Sequence, residues 1–320
     1  MNRTLHKALV TGGAGFIGSH LVEKLVDQGC EVTVLDNLSS GHMANLASVA
    51  DRVAFVKGDI KDDRTLNKVS KGCQAIFHQA AVVSVTQTVK EPLSSALVND
   101  LGTIKVLDAA RRNGVPRVVI ASSSAVYGDA PQLPKTESMN PAPLSPYAVQ
   151  KLTNEYYADL YCRLYGLETV CLRYFNVYGP RQDPSSPYSG VISIFMLRAA
   201  NGVAPMIYGD GRQTRDFVFV EDVVQANLLA AATPAAAGRV FNVGTSNSVE
   251  INQLWQMIAA MAGCTMTPLY DQPREGDIVH SLASIQRAKE ILGFQPSISF
   301  EEGLRRTFQW YRQSGQQRSE

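Results

Sequence analysis

The sequence is poor in the features that mark a metalloprotein, a membrane protein or a nucleic-acid binder. Its five cysteines, Cys30, Cys73, Cys162, Cys171 and Cys264, are odd in number, scattered and without a Cys-x-x-Cys spacing. That pattern indicates neither a disulfide framework nor a cysteine zinc site. The five histidines, His6, His20, His42, His78 and His280, show no His-x-x-x-His spacing, so no metal site is expected. No apolar run approaches the length needed to cross a bilayer, and no charged-then-apolar leader opens the chain. The cytoplasm is therefore the expected location, and the sequons at Asn2 and Asn37 are read as chance. Excess charge is also missing: 30 Lys and Arg stand against 29 Asp and Glu, a formal net charge of +1. A chain so balanced has no overall field for nucleic acid or anionic membrane, and an anionic ligand must be held by local groups. Internal repeats and low-complexity segments are absent as well.

What is present is a core. With 320 residues and 45% apolar composition, the chain is long enough for two lobes of unequal size. Its first half alternates β-branched runs with helical patterns, the signature of an α/β doubly wound (Rossmann) parallel sheet covered on both faces. Strands are expected at Lys7–Val10, Glu31–Leu35, Val53–Lys57, Ala75–His78, Arg117–Ala121 and Thr169–Arg173. Helices are expected over Phe16–Gln28 and near 62–71, 93–113 and 148–165. Seven parallel strands are the expected total, the run Arg239–Gly244 being strand-like and able to return to the main sheet. After Phe175 the pattern loosens into Gly/Pro/Ser-rich loops, short segments and two late helices, about 251–262 and 301–313. The expected division is a dinucleotide-binding domain over 1–178, with a return segment near 217–245, and a smaller, mainly substrate-binding lobe over 179–320.

Gly12, Gly15 and Gly18, in Thr11-Gly-Gly-Ala-Gly-Phe-Ile-Gly18, follow the first strand and open the first helix. In that context glycines form a dinucleotide fingerprint. Gly12 allows a tight turn, Gly15 lets the backbone approach a pyrophosphate, and Gly18 permits close packing of helix on strand. Asp36 ends the second strand about twenty residues further on, where a carboxylate accepts hydrogen bonds from ribose hydroxyls and repels a 2′-phosphate. NAD is thus expected rather than NADP. Asp59, in Lys57-Gly-Asp-Ile60, is placed to receive an adenine amino group or to cap the helix that follows. The small pair Ala80-Ala81, after the fourth strand, suits either close backbone approach to the pyrophosphate or ordinary packing.

Tyr147 and Lys151 lie one helical turn apart in Ser145-Pro-Tyr-Ala-Val-Gln-Lys151, so both side chains project from one face. An ammonium beside a phenol favours the phenolate, and a tyrosine tuned in this way exchanges a proton with a substrate hydroxyl. Lys151 is also expected to bind the nicotinamide ribose. Ser122-Ser-Ser124 follows the fifth strand and faces the crevice where doubly wound sheets bind ligands. Ser123 is the first choice to hydrogen-bond the reacting oxygen and Ser124 the second, against the plainer reading of a polar turn leaving a strand.

Five ordered motifs carry a resemblance. They are the glycine loop, Ser-Ser-Ser-Ala-Val-Tyr-Gly128, Ser-Pro-Tyr-Ala-Val-Gln-Lys151, Leu-Arg-Tyr-Phe-Asn-Val-Tyr-Gly-Pro180 and Thr-Arg-Asp-Phe-Val-Phe-Val-Glu-Asp222. Over essentially its whole length the chain resembles the extended short-chain dehydrogenase/reductase family, above all its nucleotide-sugar 4-epimerases. The resemblance implies tightly held NAD, oxidation at carbon 4 of a UDP-sugar, a 4-keto intermediate that turns over, and hydride return to the opposite face. Related 4,6-dehydratases and UDP-glucuronate decarboxylases carry carboxylates where this chain has Ser124 and Ala125, which favours inversion over elimination. On the cofactor side the resemblance extends the contacts to Phe16, Ile17, Asn37 and Gly41, to Ile60, Asn99 and Ser122, and to Tyr174 with Phe175 at the nicotinamide. On the substrate side it points to Asn176, Gln182, Arg215 and Arg274 for the diphosphate region, Asp277 for the ribose, and Val191 and Tyr208 nearby. Surface ion pairing is the alternative for both arginines. Ser281 occupies the place that gates an N-acetyl group. Being small, it implies acceptance of UDP-N-acetylglucosamine and its galacto epimer beside UDP-glucose and UDP-galactose. Gly190 agrees with room for the acetamide, whereas Val83 is bulkier than an acetyl-tuned pocket suggests.

Alternatives of other classes are a UDP-glucuronate 4-epimerase, a nucleotide-sugar dehydratase or decarboxylase, and a non-enzymatic NAD-sensing protein. Tyr147, Lys151 and the serines together speak against the last. The helices near 93–113 and 148–165 are expected to pair across a two-fold axis in a homodimer, as in similar epimerases.

Overall fold

The computed structural model describes residues 4–183, 190–273 and 278–317. The first half alternates as its pattern requires: β1 (Lys7–Thr11), α1 (Phe16–Asp27), β2 (Glu31–Asp36), β3 (Val53–Lys57), α2 (Asp63–Val69), β4 (Ala75–His78), α3 (Val85–Lys90), α4 (Pro92–Ala96), α5 (Thr103–Arg112), β5 (Arg117–Ser123), α6 (Pro146–Tyr165) and β6 (Glu168–Tyr174). There follow β7 (Asn176–Tyr178), α7 (Val191–Ala200), β8 (Met206–Tyr208), β9 (Thr214–Arg215), β10 (Phe217–Phe219), α8 (Val220–Ala232) and β11 (Arg239–Val243). The last elements are β12 (Val249–Glu250), α9 (Ile251–Ala262), β13 (Leu269–Asp271), α10 (Gln286–Leu292) and α11 (Phe300–Gln317).

Seven strands form one parallel sheet in the order β11-β6-β5-β4-β1-β2-β3. The chain reverses its direction of travel between β1 and β4, so a crevice opens there beyond the carboxyl ends of the strands. Strand alternation divides the core. Ala8, Val10, Val119, Val170 and Leu172 face one way, with Leu21, Val22 and Leu25 of α1 and Val223, Ala226 and Ala230 of α8. Leu9, Val118, Ile120 and Cys171 face the other way, with Val106 and Leu107 of α5 and Ala158 of α6. A third core gathers Ile192, Phe195, Phe217, Trp255, Leu304 and Phe308, and touches Phe16 and Ile17 where α1 begins. The buried Asp216 ties this lobe to the sheet. Its carboxylate accepts from the Thr245 and Ser246 amides (2.8 and 3.0 Å), from the Thr245 hydroxyl (2.7 Å) and from the Ala283 amide (3.0 Å).

Two expectations are corrected. The single helix over 93–113 is broken into α4, a π-helical stretch over Leu97–Gly102, and α5. Its cause is tertiary: Asn99 is hooked to both backbone groups of Val82 (2.8 and 2.9 Å), and a Cβ on Gly102 would stand 2.6 Å from Ile60 Cδ1. The region after Phe175 also contains α7, α8 and α10, which the pattern did not show. Along α8, buried residues run almost all the way round, Val220, Val223, Val224, Ala226, Asn227 and Ala230 among them, so no amphipathic stripe was there to be read.

The packing of α1 on the first turn makes a direct prediction. A Cβ on Gly18 would lie 2.1 Å from the Gly12 carbonyl oxygen, which is backbone and cannot step aside. Gly18→Ala should cost on the order of 1–3 kcal/mol. Urea unfolding should show it as a lower midpoint with an unchanged slope.

Candidate active site

Three elements meet at the crevice. Helix α6 starts where Ser145 accepts from the Ala148 amide (3.2 Å) and Pro146 takes the first turn, whose amide needs no partner. This places Tyr147 in the first turn and Lys151 one turn further in. The Lys151 ammonium donates to the Ala121 carbonyl at 2.7 Å and stands 5.7 Å from the centre of the Tyr147 ring. Burial holds Lys151 down to about 8, opposed by Cys171, Asp100 and Glu155. Burial pushes the Tyr147 phenol up to about 12, and Ser123 pulls it back. The lysine is directed at a carbonyl, and burial dominates.

The three serines diverge. Ser123 ends β5 and accepts from the Ala125 amide at 3.1 Å, and its hydroxyl acts on the Tyr147 phenol. Ser124 begins the 3-10 turn Ser124–Tyr127 and is half-buried. Ser122 is turned away, its buried hydroxyl donating to Glu155 Oε1 at 2.5 Å, so its side chain is not brought to the crevice.

On the cofactor side the glycines have distinct duties. Gly12 has φ +69°, and a Cβ there would meet the Ala80 amide nitrogen at 2.6 Å. At Gly15 the only neighbour within 4 Å would be the Gly12 carbonyl, at 3.2 Å, so its other side is a cradle that a methyl would fill. That cradle lies at the start of a 12-residue helix, whose first-turn amides have no intrahelical acceptors. A pyrophosphate fits such a place. Asp36 is buried and accepts from the Ala14 amide (2.9 Å) and the Leu38 amide (2.8 Å), and Gly41 packs against it. Asn37 donates to Asp59 at 3.1 Å, while Asp62, not Asp59, caps α2. The capping alternative for Asp59 is thereby removed. Ala80 and Ala81 follow β4 and are half-buried.

Other candidates stand elsewhere. The side chains of Phe16 and Ile17 pack into the lobe core, leaving their backbone to face a ligand. Ile60 is buried against Gly102. Asn99 is committed to Val82 and to Gln150 (2.7 Å), so it braces the loop after β4. Tyr174 turns its hydroxyl to Asn227 and Gln79, and Phe175 is buried beside Tyr127.

Asn176, Gln182, Gly190, Val191, Tyr208 and Arg215 come together in one cavity of about 370 Å³. Gln182 donates to the Val177 carbonyl (3.3 Å), and its buried Oε1 has no hydrogen-bond partner among the described residues. Ser281 is buried nearby, its amide on the Thr214 carbonyl at 3.1 Å, but does not line this cavity. Val83 stands apart, 65% exposed. Arg274 and Asp277 lie outside the described residues. Gln213 and Phe217 also line the cavity and were missed, although 213, 215 and 217 alternate with period two, a strand signal the sequence carried. Among the described residues no group of His, Cys, Asp or Glu could hold a metal ion, and no helix is long and apolar enough to cross a membrane.

Residues 8–244 match the NAD dependent epimerase/dehydratase family. The chain belongs to that family. It is 43% identical over 314 residues to a UDP-glucose 4-epimerase of Mycolicibacterium smegmatis, covering 97% of this chain and 100% of the relative. Among solved structures, a UDP-N-acetylglucosamine 4-epimerase from Methanobrevibacter ruminantium, in complex with UDP-N-acetylmuramic acid, superposes with a TM-score of 0.94 at 42% identity, covering 98% of this chain and 100% of that one. The UDP-glucose 4-epimerase of Thermotoga maritima, with UDP-glucose, gives 0.92 at 40% identity, covering 96% and 99%. NAD is the cofactor the family's chemistry requires, and the Gly15 cradle with Asp36 fits it.

Asp36→Asn should weaken NAD binding about tenfold or more by removing the charge that accepts ribose hydroxyls and by turning an amide against the Ala14 N–H. Titration calorimetry or the NAD retained through gel filtration reads this out.

Proposed function

We propose that this protein inverts carbon 4 of UDP-sugars, using NAD that is returned unchanged at each turnover. The observation that carries this reading is the assembly of Tyr147, Ser123 and Lys151 at the carboxyl end of β5, with Ser124 and Ala125 where eliminating relatives carry carboxylates. Tyr147 is the group that takes the proton of the 4-hydroxyl and later returns it. Ser123, next to that phenol, orients the oxygen that alternates between hydroxyl and carbonyl. Lys151 fixes the backbone of β5 beneath them. NAD, when bound, would supply the hydride acceptor and donor. No acid is required at carbons 5 and 6, and none is present at Ser124 and Ala125.

The substrate side supports a diphosphate nucleotide and a roomy sugar pocket. Arg215, Gln182, Asn176 and Gln213 sit in a cavity whose other walls are mainly aromatic and aliphatic, an arrangement suited to holding a base and ribose while a guanidinium meets phosphate. A Cβ on Gly190 would stand 3.3 Å from Gln182 Nε2, so a larger residue there would crowd that side chain. With Ser281 small as well, acetylated and unacetylated hexoses are both accommodated. The substrate lobe is assigned to 179–320 except for the segment 217–245. The enzyme works as a homodimer: Leu93, Leu97 and Leu101 on one helical stretch and Tyr156, Leu160 and Leu164 on α6 are exposed, Leu93 by 83% and Leu164 by 67%. A stripe of that kind calls for a partner, and a second copy presenting the same stripe supplies one. Five cysteines without a disulfide fit a reducing cytoplasm.

Coupled assays on UDP-glucose/UDP-galactose and on UDP-N-acetylglucosamine/UDP-N-acetylgalactosamine should show turnover of both pairs, with substoichiometric retained NAD supporting many cycles. Lack of turnover of the acetylated pair would remove the role given to Ser281. Tyr147→Phe should lower kcat by about a thousandfold or more while sparing NAD binding; near-normal activity in that variant is incompatible with the mechanism.

A further inference from the structure

Three successive residues at the end of β5 face three residues spaced one turn apart on α6. Ser123 acts on the Tyr147 phenol, the Ala121 carbonyl accepts from Lys151 at 2.7 Å, and between them Ser122 Oγ donates to Glu155 at 2.5 Å. The positions 147, 151 and 155 make a single helical stripe facing the strand. The first two rungs belong to the reaction proposed above, and the third has no assigned role. Glu155 is 5% exposed, and Arg173, the residue opposite Ser122 on β6, grips it through Nε at 2.9 Å and NH2 at 2.7 Å. Arg173 in turn lies over the ring of Tyr127, its carbon 4.7 Å from the centroid, and Tyr127 closes the short turn that begins at Ser124. A buried ion pair adds little net stability over an apolar pair of the same shape. Its placement one turn beyond Lys151 needs another reason.

We propose that Glu155 is a positioning residue of the reaction, which holds the end of β5 in register with α6 and sets a fixed carboxylate one helical turn beyond Lys151. This inference rests on the epimerase reading. The titratable groups around Lys151 are Cys171 on β6, Asp100 on the π-helical stretch, Glu155 on α6 and His78 on β4, with the Tyr147 ring on its own helix; burial keeps the Cys171 thiol and the His78 imidazole uncharged, so the anions among them are Asp100 and Glu155. Of these, Glu155 is the carboxylate fixed in place by two bonded partners from the sheet. Arg173 keeps its own charge although burial opposes it, because Glu155 more than offsets that burial.

The test is the pH dependence of kcat for UDP-glucose. Removing an anion beside Lys151 lets its proton leave at lower pH, so the alkaline limb should move toward acid. Glu155→Gln is expected to shift that limb by about half a unit or more and to lower kcat about tenfold with KM little changed. Glu155→Asp, which keeps the charge, should leave the limb in place. Should Glu155→Gln fail to fold for want of a partner to Arg173, the double variant E155Q/R173M removes the stranded guanidinium and should show the same loss of kcat. Ser122→Ala leaves both charges in place and should lower kcat without moving the limb. An unshifted limb in folded Glu155→Gln, an equal shift in Glu155→Asp, or wild-type kcat in E155Q/R173M or in Ser122→Ala overturns the proposal. A Tyr147→Phe enzyme that still turns over refutes the epimerase reading itself; an inactive one beside an unshifted Glu155→Gln refutes only this inference.

Discussion

The docking of α6 on the end of β5 is the constraint on which the site depends. Every reacting side chain attributed to the protein comes from these two elements, and their relative register decides whether Tyr147 and Ser123 meet. That register is set by polar contacts inside the core and not by apolar packing alone, since a lysine, a glutamate and an arginine lie buried at the seam. Charged groups in such a place are tolerated only when paired, and here each is: Lys151 with the Ala121 carbonyl, Glu155 with Ser122 and Arg173, and Arg173 with Glu155. Slippage by one residue would strand all three together. The penalty for misalignment is therefore much steeper than apolar contacts would impose, and catalytic geometry and folding specificity share one set of bonds.

The substrate side is built on a different principle. There the cavity is shaped by aromatic and aliphatic residues of β10, α7 and α9, and a few polar groups are presented from short strands and loops. The Asp216 carboxylate joins the two halves by collecting four donors from the end of β11 and from the segment beside Ser281. Burial pushes this carboxyl up, and the hydrogen bonds from Ala283, Thr245 and Ser246 pull it back. It lies next to Arg215 in sequence, so the element that reaches into the cavity is anchored one residue away from its tip.

Much of this was legible in the chain itself. Strands β1 to β6 were visible because β-branched runs bounded by turn residues leave little choice, and Gly12 and Gly18 because their positions admit no side chain. Of the six cavity residues on the substrate side, Asn176 and Arg215 lie in the ordered motifs, and the other four came from the family resemblance. What escaped reading was set by distant contacts. The π-helical stretch depends on Asn99 reaching Val82 across the crevice, which no periodicity records. Helix α8 hid because it is buried on nearly every side. Spacing places Lys151 near the phenol but does not say that its ammonium points to the Ala121 carbonyl. A run of three serines likewise does not say which one faces the crevice: alternation turns Ser122 and Ser123 to opposite sides of the strand, and Ser124 already belongs to the turn that follows.

The return of the chain through β11 has a consequence for biosynthesis. Strand β6 is complete at Tyr174, but its outer edge is covered only when Arg239–Val243 has been made, after α7, β10 and α8. Until then a growing chain carries an open parallel edge, the kind of surface that pairs with the wrong neighbour. The nucleotide layer thus cannot finish before much of the lobe has left the ribosome, and a polypeptide ending near Tyr178 would be a sheet with an unsealed side.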